Sequence, residues 1–244
     1  MGDSPNPGPP APADVPGQVA VVGGGTMGSG IVHVLLAAGI RTILCEVDDA
    51  ALERAVIMVT TSLEGAESRG KLRETVPQTL ARLITTTAHV RLGEADVVIE
   101  AVPEIPDLKI QRLTSIERHL APDTVLATNT SSLSLKSLAK PLAHPHRFVG
   151  MHFFNPVPVQ VLLEIVRISA TDAATMRTVR ALAAVLGKET IEITDSPGFA
   201  TSRLGVLIGP EALRMAEEGV ATPEDTAKGV GLGYRHPIRH GRPG

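Results

Sequence analysis

Short apolar runs alternate with longer segments of helical periodicity along most of the chain. Continuous apolar runs are typical of strands buried on both faces, and they predict strands at residues 18–22, 42–46, 82–87, 96–102, 124–128 and 147–151. Apolar residues at helical spacing predict helices at residues 27–38, 48–70, 107–120 and 134–139. This alternation is typical of an α/β fold with a doubly wound, mostly parallel sheet.

Polar residues follow several of the predicted strands at their carboxyl ends. In a doubly wound sheet the ligands bind beyond those ends. The polar residues found there are Glu46, Glu104, Asn129, Ser131 and His152. We therefore expect the functional site along this edge of the sheet.

The first predicted strand runs directly into a glycine motif, Gly23-x-Gly25-x-x-Gly28, and a predicted helix follows. The first glycine allows a tight turn, the second lets a pyrophosphate approach the backbone, and the third lets helix and strand pack closely. Thr26 and Met27 lie at the helix N-terminus, where free N–H groups and the helix dipole favour phosphates. These residues predict a dinucleotide site on a Rossmann-type fold, although a plain glycine-rich turn is the alternative.

An acidic residue, Glu46, ends the second predicted strand, eighteen residues after Gly28. A carboxylate at this place accepts hydrogen bonds from the ribose hydroxyls of adenosine and repels a 2′-phosphate. The position favours NAD over NADP as the cofactor. The alternative is a solvated strand end without a ligand.

A rigid loop is predicted at residues 151–158, with His152 just past a strand. A histidine beside a nicotinamide can take a hydroxyl proton as hydride leaves the same carbon. A carboxylate is well suited to support the imidazolium, and Glu164 stands isolated in an apolar run where an unpaired charge would be costly. Composition alone allows a structural histidine equally well, and the isolated glutamate favours the catalytic interpretation.

Composition excludes some classes of binding partner and indicates the cellular compartment. The 244 residues carry a net charge of −3 and are 2% aromatic, which argues against nucleic acid or an anionic membrane as a general partner. The single cysteine, Cys45, lies in a predicted buried strand, and one cysteine cannot form a disulfide within the chain. With no targeting segment or long apolar run recognised, we expect a cytoplasmic protein.

Three segments are expected along the chain. Residues 1–16 are rich in proline and predict a flexible tail. Residues 17–196 would form the NAD-binding domain. Residues 197–244 would form a smaller, all-α C-terminal domain for substrate binding and dimerisation, with helices at residues 202–217 and 223–230.

A series of motifs resembles the 3-hydroxyacyl-CoA dehydrogenase family, whose short-chain bacterial members are often called 3-hydroxybutyryl-CoA dehydrogenases. The resemblance runs from about Val19 to Pro237 and rests on GGGTMGSGI, VVIEAVPE, ATNTSSLS, GMHFFNPVPV, LLEIV, LGKETIEITDSPGFATSRL, EEGVATPED and GLGYRHP. It implies interconversion of L-3-hydroxyacyl-CoA and 3-ketoacyl-CoA with NAD, in fatty-acid and related acyl-CoA metabolism. No metal is implied.

The resemblance also assigns roles to individual residues. His152 would be the general acid/base with Glu164 as its partner, and Ser131 and Asn155 would position the substrate oxygen. Glu46 would match the ribose-binding acid, which is usually Asp in this family. The remaining assignments are cofactor contacts at Glu104, Lys109 and Asn129, and acyl-CoA contacts at Ser62, Arg69 and Lys71.

Two departures from the family pattern affect the substrate side. Ser202 stands where the family has a second active-site asparagine, and a shorter hydroxyl would hold the substrate through a water or in a shifted position. After Pro237 the chain lacks the family's further helices, so we expect a partial C-terminal domain with exposed apolar faces and a homodimer if its helices suffice. A truncated end and a genuine short form both fit.

Two other functions remain open from the sequence alone. A same-fold dehydrogenase could act on a non-CoA hydroxy acid such as a sugar acid, although the basic residues Arg69 and Lys71 favour a CoA thioester. An NAD-binding protein with impaired catalysis is the second alternative, because the C-terminal half-domain would be incomplete.

Overall fold

A computed structural model describes residues 14–233 of the chain. Most of the predicted proline-rich tail and the unusual ending after Pro237 lie outside the described residues. The chain forms two compact units, divided between Pro197 and Gly198. No helix in the described part combines the length and the apolar character needed to cross a membrane.

The first unit contains one eight-stranded sheet in the order β3-β2-β1-β4-β5-β6-β7-β8. Its strands are β1 Gln18–Val22, β2 Arg41–Cys45, β3 Leu83–Thr86, β4 Val97–Glu100, β5 Val125–Thr128, β6 Phe148–Phe153, β7 Leu162–Arg167 and β8 Glu189–Thr194. All neighbours are parallel except β6 and β7, which are antiparallel. The predicted mostly parallel, doubly wound sheet is therefore confirmed.

Several helices of this unit begin at a residue suited to a helix N-terminus. Asp48 and Asp172 each accept a backbone N–H three residues ahead, which satisfies one of the free donors in the first turn. Pro106 occupies a first-turn position, where its missing N–H costs nothing. The helices are α1 Thr26–Ala37, α2 Asp49–Glu67, α3 Val76–Leu80, α4 Pro106–Glu117, α5 Leu135–Ala139 and α6 Ala173–Val185.

The core lies on both faces of the sheet. Alternate strand residues such as Val97 and Ile99 pack with α1, α2 and α6 in one large cluster. The intervening residues, such as Val98, are also fully buried and face the other side, because successive strand side chains alternate. Cys45 is fully buried in β2, as the sequence predicts.

The structure corrects the expected ends of two strands. The strand predicted to reach residue 102 ends at Glu100. His152, expected in a loop past a strand, lies inside β6, which continues to Phe153. β6 is longer because β7 pairs with it in an antiparallel register, and the sequence analysis had not identified β7, α6 or β8 as elements.

The second unit contains two helices among its described residues, α7 Thr201–Glu217 and α8 Pro223–Gly233. No residue of α7 is buried. Large apolar side chains therefore lie exposed along this helix: Leu204, Val206, Leu207, Ile208 and Leu213.

Candidate active site

A cavity of about 800 Å³ opens at the carboxyl ends of the parallel strands, where ligands bind in doubly wound folds. Most of the predicted site residues share its wall. They are Gly23, Gly25, Thr26, Met27, Glu46, Glu104, Asn129, Ser131, His152 and Asn155. The wall also contains residues that the sequence analysis did not single out, among them Arg54, Leu108 and Arg112.

The glycine loop at one side of the cavity has the shape that a pyrophosphate needs. A Cβ added at Gly28 would lie 1.7 Å from the carbonyl oxygen of Gly23, so only glycine lets the helix start this close to the loop. A Cβ at Gly25 would meet nothing within 4 Å, so the backbone there faces open space. Gly25 also precedes α1 without a side-chain cap, which leaves first-turn N–H groups available to an anion.

Glu46 lies at the end of β2 and contacts this same loop. Its Oε1 accepts a hydrogen bond from the N–H of Gly24 at 2.6 Å, and its Oε2 accepts one from Val47 at 2.9 Å. Both bonds orient the carboxylate in the cavity wall without using all of its acceptor capacity. A phosphate cradle beside a fixed carboxylate is the arrangement that holds a dinucleotide with an unphosphorylated ribose, so the residues present fit NAD.

His152 and Glu164 face each other across β6 and β7. They occupy opposite positions in the antiparallel register, and Nδ1 of His152 lies 2.6 Å from Oε2 of Glu164. Glu164 is fully buried and His152 is 6% exposed, so this contact supplies the compensation that a buried carboxylate requires. The ring of Phe154 lies 4.4 Å from the imidazole centre and restricts its movement.

A second buried ion pair, between Glu100 and Lys109, lies beneath the cavity. Lys109 Nζ donates to both carboxylate oxygens of Glu100, at 2.9 and 3.1 Å, and to the carbonyl oxygen of Asn129 at 2.9 Å. Both side chains are fully buried, so the structure places Lys109 below the wall and not in it. Glu100 was missed, although a lone glutamate in an apolar strand is the same signal that identified Glu164.

Glu104 holds the loop that carries Ser131. Its Oε1 accepts hydrogen bonds from Thr130 Oγ1 at 2.5 Å, from the N–H of Ser131 at 2.9 Å and from Ser131 Oγ at 3.3 Å. Burial acts to raise the pKa of Glu104, but these bonds and the charge of Lys109 outweigh it and hold the pKa below its usual value. The side chain is therefore a carboxylate at neutral pH.

Asn129 joins the loops that follow β5 and β6. Its side-chain Oδ1 accepts a hydrogen bond from the N–H of Phe153 at 3.0 Å. Its own N–H donates to the carbonyl oxygen of Glu100 at 2.7 Å. Asn129 thereby fixes the end of β6, next to His152, relative to β4 and β5.

The residues predicted to contact acyl-CoA lie elsewhere. Ser62 on α2 is hydrogen-bonded to Nδ1 of His33 at 2.8 Å, and Arg69 and Lys71 are exposed; none of the three is in the cavity wall. Burial, with smaller effects of Arg69 and Lys188, lowers the pKa of His33 to about 4. Ser202 belongs to the second unit, on α7.

Comparison with known proteins gives a consistent result. Residues 18–196 match the 3-hydroxyacyl-CoA dehydrogenase NAD-binding domain family. The 3-hydroxybutyryl-CoA dehydrogenase of Mycobacterium tuberculosis is 40% identical over 224 residues, covering 91% of this chain and 78% of that protein. The solved (S)-3-hydroxybutyryl-CoA dehydrogenase of Ralstonia eutropha is 39% identical with a TM-score of 0.86, covering 91% of this chain and 79% of that one.

A probable 3-hydroxybutyryl-CoA dehydrogenase of Bacillus subtilis is 36% identical over 222 residues, covering 91% of this chain and 77% of that protein. The likeness therefore includes the whole sheet and reaches into the second unit. Sequence identity, fold and cavity position agree with the resemblance carried by the motifs. The chain belongs to the 3-hydroxyacyl-CoA dehydrogenase family of NAD-dependent oxidoreductases.

Proposed function

We propose that this chain interconverts a short-chain L-3-hydroxyacyl-CoA and its 3-ketoacyl-CoA, with His152 as the general acid/base. The observation that supports the proposal most strongly is the hydrogen bond of 2.6 Å between His152 and the fully buried Glu164, in the wall of a cavity with a glycine cradle. Relatives named for 3-hydroxybutyryl-CoA suggest a four-carbon acyl group as the first substrate to test.

NAD, when bound, supplies the acceptor for the hydride that leaves C3 of the substrate. In that direction His152 takes the proton of the 3-hydroxyl group through Nε2, while Nδ1 keeps its hydrogen bond to Glu164. The carboxylate stabilises the imidazolium that forms, because opposite charges attract strongly where water is excluded. In the reverse direction His152 returns the proton to the carbonyl oxygen.

Other residues have positioning roles in this proposal. Ser131 and Asn155, both in the cavity wall, hydrogen-bond the substrate oxygen and hold C3 toward the cofactor. The bond of 3.3 Å between Ser131 Oγ and Glu104 is long enough for the hydroxyl to turn toward a ligand.

Acyl-CoA recognition is assigned to the surface formed by Ser62, Arg69 and Lys71. The two exposed cations provide the charge that the CoA phosphates require. Ser62 keeps acceptor and donor capacity beyond its bond to His33. These three residues support a thioester substrate more than a free hydroxy acid.

The proposal also includes the oligomeric state, the partners and the cellular compartment of the protein. Exposed apolar side chains along α7 support a homodimer, since contiguous apolar surface favours association. A net charge of −3 argues against nucleic acid as a partner, and a single buried cysteine fits the reducing cytoplasm.

The test is NADH oxidation with acetoacetyl-CoA. The alternative substrates are free acetoacetate, and a sugar acid assayed in its keto form with NADH and in its hydroxy form with NAD. We expect turnover of the thioester and little of the free acids. Preference for a free acid would contradict the CoA assignment. Binding of NADH without turnover of any substrate would instead identify a nucleotide-binding protein, and a sizing column run in parallel reports the dimer.

A further inference from the structure

Charged side chains are distributed unequally along the cavity. The wall contains two arginine side chains, Arg54 and Arg112. Burial raises the pKa of Cys45 in β2 to about 11, Glu46 adds to this effect, and Arg112 opposes it, which places the charge of Arg112 near this end. The carboxylate of Glu46 is therefore accompanied by positive charge.

Glu104, at the other end of the cavity, has a different environment. It lies with Asn129, Ser131 and His152, and its side chain is 36% exposed. Donors surround it, and they hold its pKa below the usual value despite partial burial. Among the described residues of the cavity wall the carboxylates are Glu46 and Glu104, and Glu104 is the one in the region of Ser131 and His152.

Lys109 lies close to Glu104 but is already paired with Glu100. Its Nζ is 2.9 Å from Glu100 Oε1 and 3.6 Å from Glu104 Oε2. Burial raises the pKa of Glu100, yet both of its oxygens accept hydrogen bonds, from Lys109, from Thr128 Oγ1 and from the N–H of Val102, which favours the ionised form. The three side chains, Glu100, Lys109 and Glu104, thus carry one net negative charge, located at Glu104.

We propose that Glu104 determines which redox state of the nicotinamide the cavity prefers, its negative charge favouring the positively charged oxidised ring over the neutral reduced ring. The inference rests on the proposed function, in which the phosphates lie on the glycine loop and the adenosine ribose on Glu46. That orientation assigns the nicotinamide half to the end with Glu104 and His152. Glu104 is half-buried, so its charge is screened less than that of a fully exposed carboxylate.

The consequence for the reaction is a bias toward ketone reduction on the protein. Transfer of hydride to the 3-keto carbon, with the proton supplied by His152, restores the positive charge of the ring. Glu104 stabilises that product state, because its charge attracts the positively charged ring and has no comparable attraction for the neutral ring before transfer. The same carboxylate positions Ser131, so positioning and redox preference would both depend on Glu104.

The test compares the dissociation constants of NAD and NADH for the unmodified chain and for Glu104→Gln, by titration of NADH fluorescence and by competition with NAD. Removing the charge should raise the ratio of the NAD constant to the NADH constant by about tenfold. Equal changes in both constants, or none, would overturn the proposal. Glu104→Asp retains the charge, so a rise as large as that of the glutamine variant would overturn it too.

Control variants distinguish an effect of the Glu104 charge from a general disturbance of the cavity. Glu46→Gln, at the adenosine end, should weaken the binding of NAD and of NADH by the same factor. If it changed the ratio of the two dissociation constants as much as Glu104→Gln does, that result would contradict a local role of Glu104. Glu100→Gln/Lys109→Met preserves the net charge and should leave the ratio unchanged. Failure of the proposed function can be distinguished from failure of the Glu104 proposal. A chain that binds both nucleotides but does not turn over acetoacetyl-CoA still gives the ratio of the NAD to the NADH dissociation constant.

Discussion

Glu46 and Gly24 are joined by a hydrogen bond of 2.6 Å, from the backbone N–H of the glycine loop to Oε1 of the carboxylate. In the proposed function, the carboxylate that binds the adenosine ribose therefore also holds the loop that binds the pyrophosphate. Gly24 has no room for a side chain, since a Cβ there would lie 2.3 Å from the Cβ of Ala55. The two halves of nucleotide recognition are mechanically linked through this bond.

Replacing Glu46 by glutamine should relax the preference for NADH over NADPH. The amide oxygen can still accept the hydrogen bond from Gly24, but the charge that repels a 2′-phosphate is gone. We expect the ratio of kcat/KM for NADPH to that for NADH to rise by about tenfold, mainly because NADPH is no longer repelled. Initial rates with both nucleotides give the ratio, and an unmodified chain that already uses both equally would refute the role of Glu46.

His152→Gln should lower kcat by roughly 10²- to 10⁴-fold, because no general acid/base remains. Glu164→Gln keeps an acceptor near Nδ1 but removes the charge that supports the imidazolium, so a loss of at least about tenfold is expected. NADH affinity, measured by fluorescence, should stay close to that of the unmodified chain in both variants. Near-native kcat in a folded His152→Gln protein would remove the catalytic assignment.

Lys109→Met should destabilise the first unit strongly. The substitution leaves Glu100 as an unpaired buried carboxylate, which costs about 3–5 kcal/mol in comparable cases. Glu100→Gln/Lys109→Met removes both charges and should recover much of that loss, as measured by urea unfolding. If the double variant is no more stable than Lys109→Met alone, the unpaired charge of Glu100 is not the cause of the destabilisation.

Acidification should weaken the fold through His33. Its pKa is lowered to about 4 in the folded protein, chiefly by burial, from an unfolded value near 6.5. Between these values the unfolded chain binds the additional proton, so the full stability is present above pH 6.5 and decreases as the pH falls toward 4, by roughly 3 kcal/mol. His33→Gln should show a shallower decrease in urea midpoint between pH 7 and 5, and an unchanged slope would rule out this histidine as the cause.

Local sequence signals were sufficient for the parallel part of the sheet and for much of the site. The glycine motif, Glu46 and the isolated Glu164 each combine an unusual residue with an apolar neighbourhood, and such signals are visible without tertiary information. The placement of His152 within β6 was not visible, because it depends on antiparallel pairing with β7. Lys109, expected as a cofactor contact, is fully buried and paired with Glu100. A lone glutamate in an apolar strand indicates that Glu100 needs a partner, but which cation supplies it depends on tertiary packing.

The contact between His152 and Glu164, the proposed acid/base pair, depends on the register in which β6 and β7 pair. His152 and Glu164 meet because they are opposite in the ladder, and a slip by one residue would turn Glu164 to the other face of the sheet. Substitutions that loosen β7 at a distance should therefore impair the proposed proton transfer, while the glycine loop and Glu46, which follow β1 and β2, keep their mutual contact.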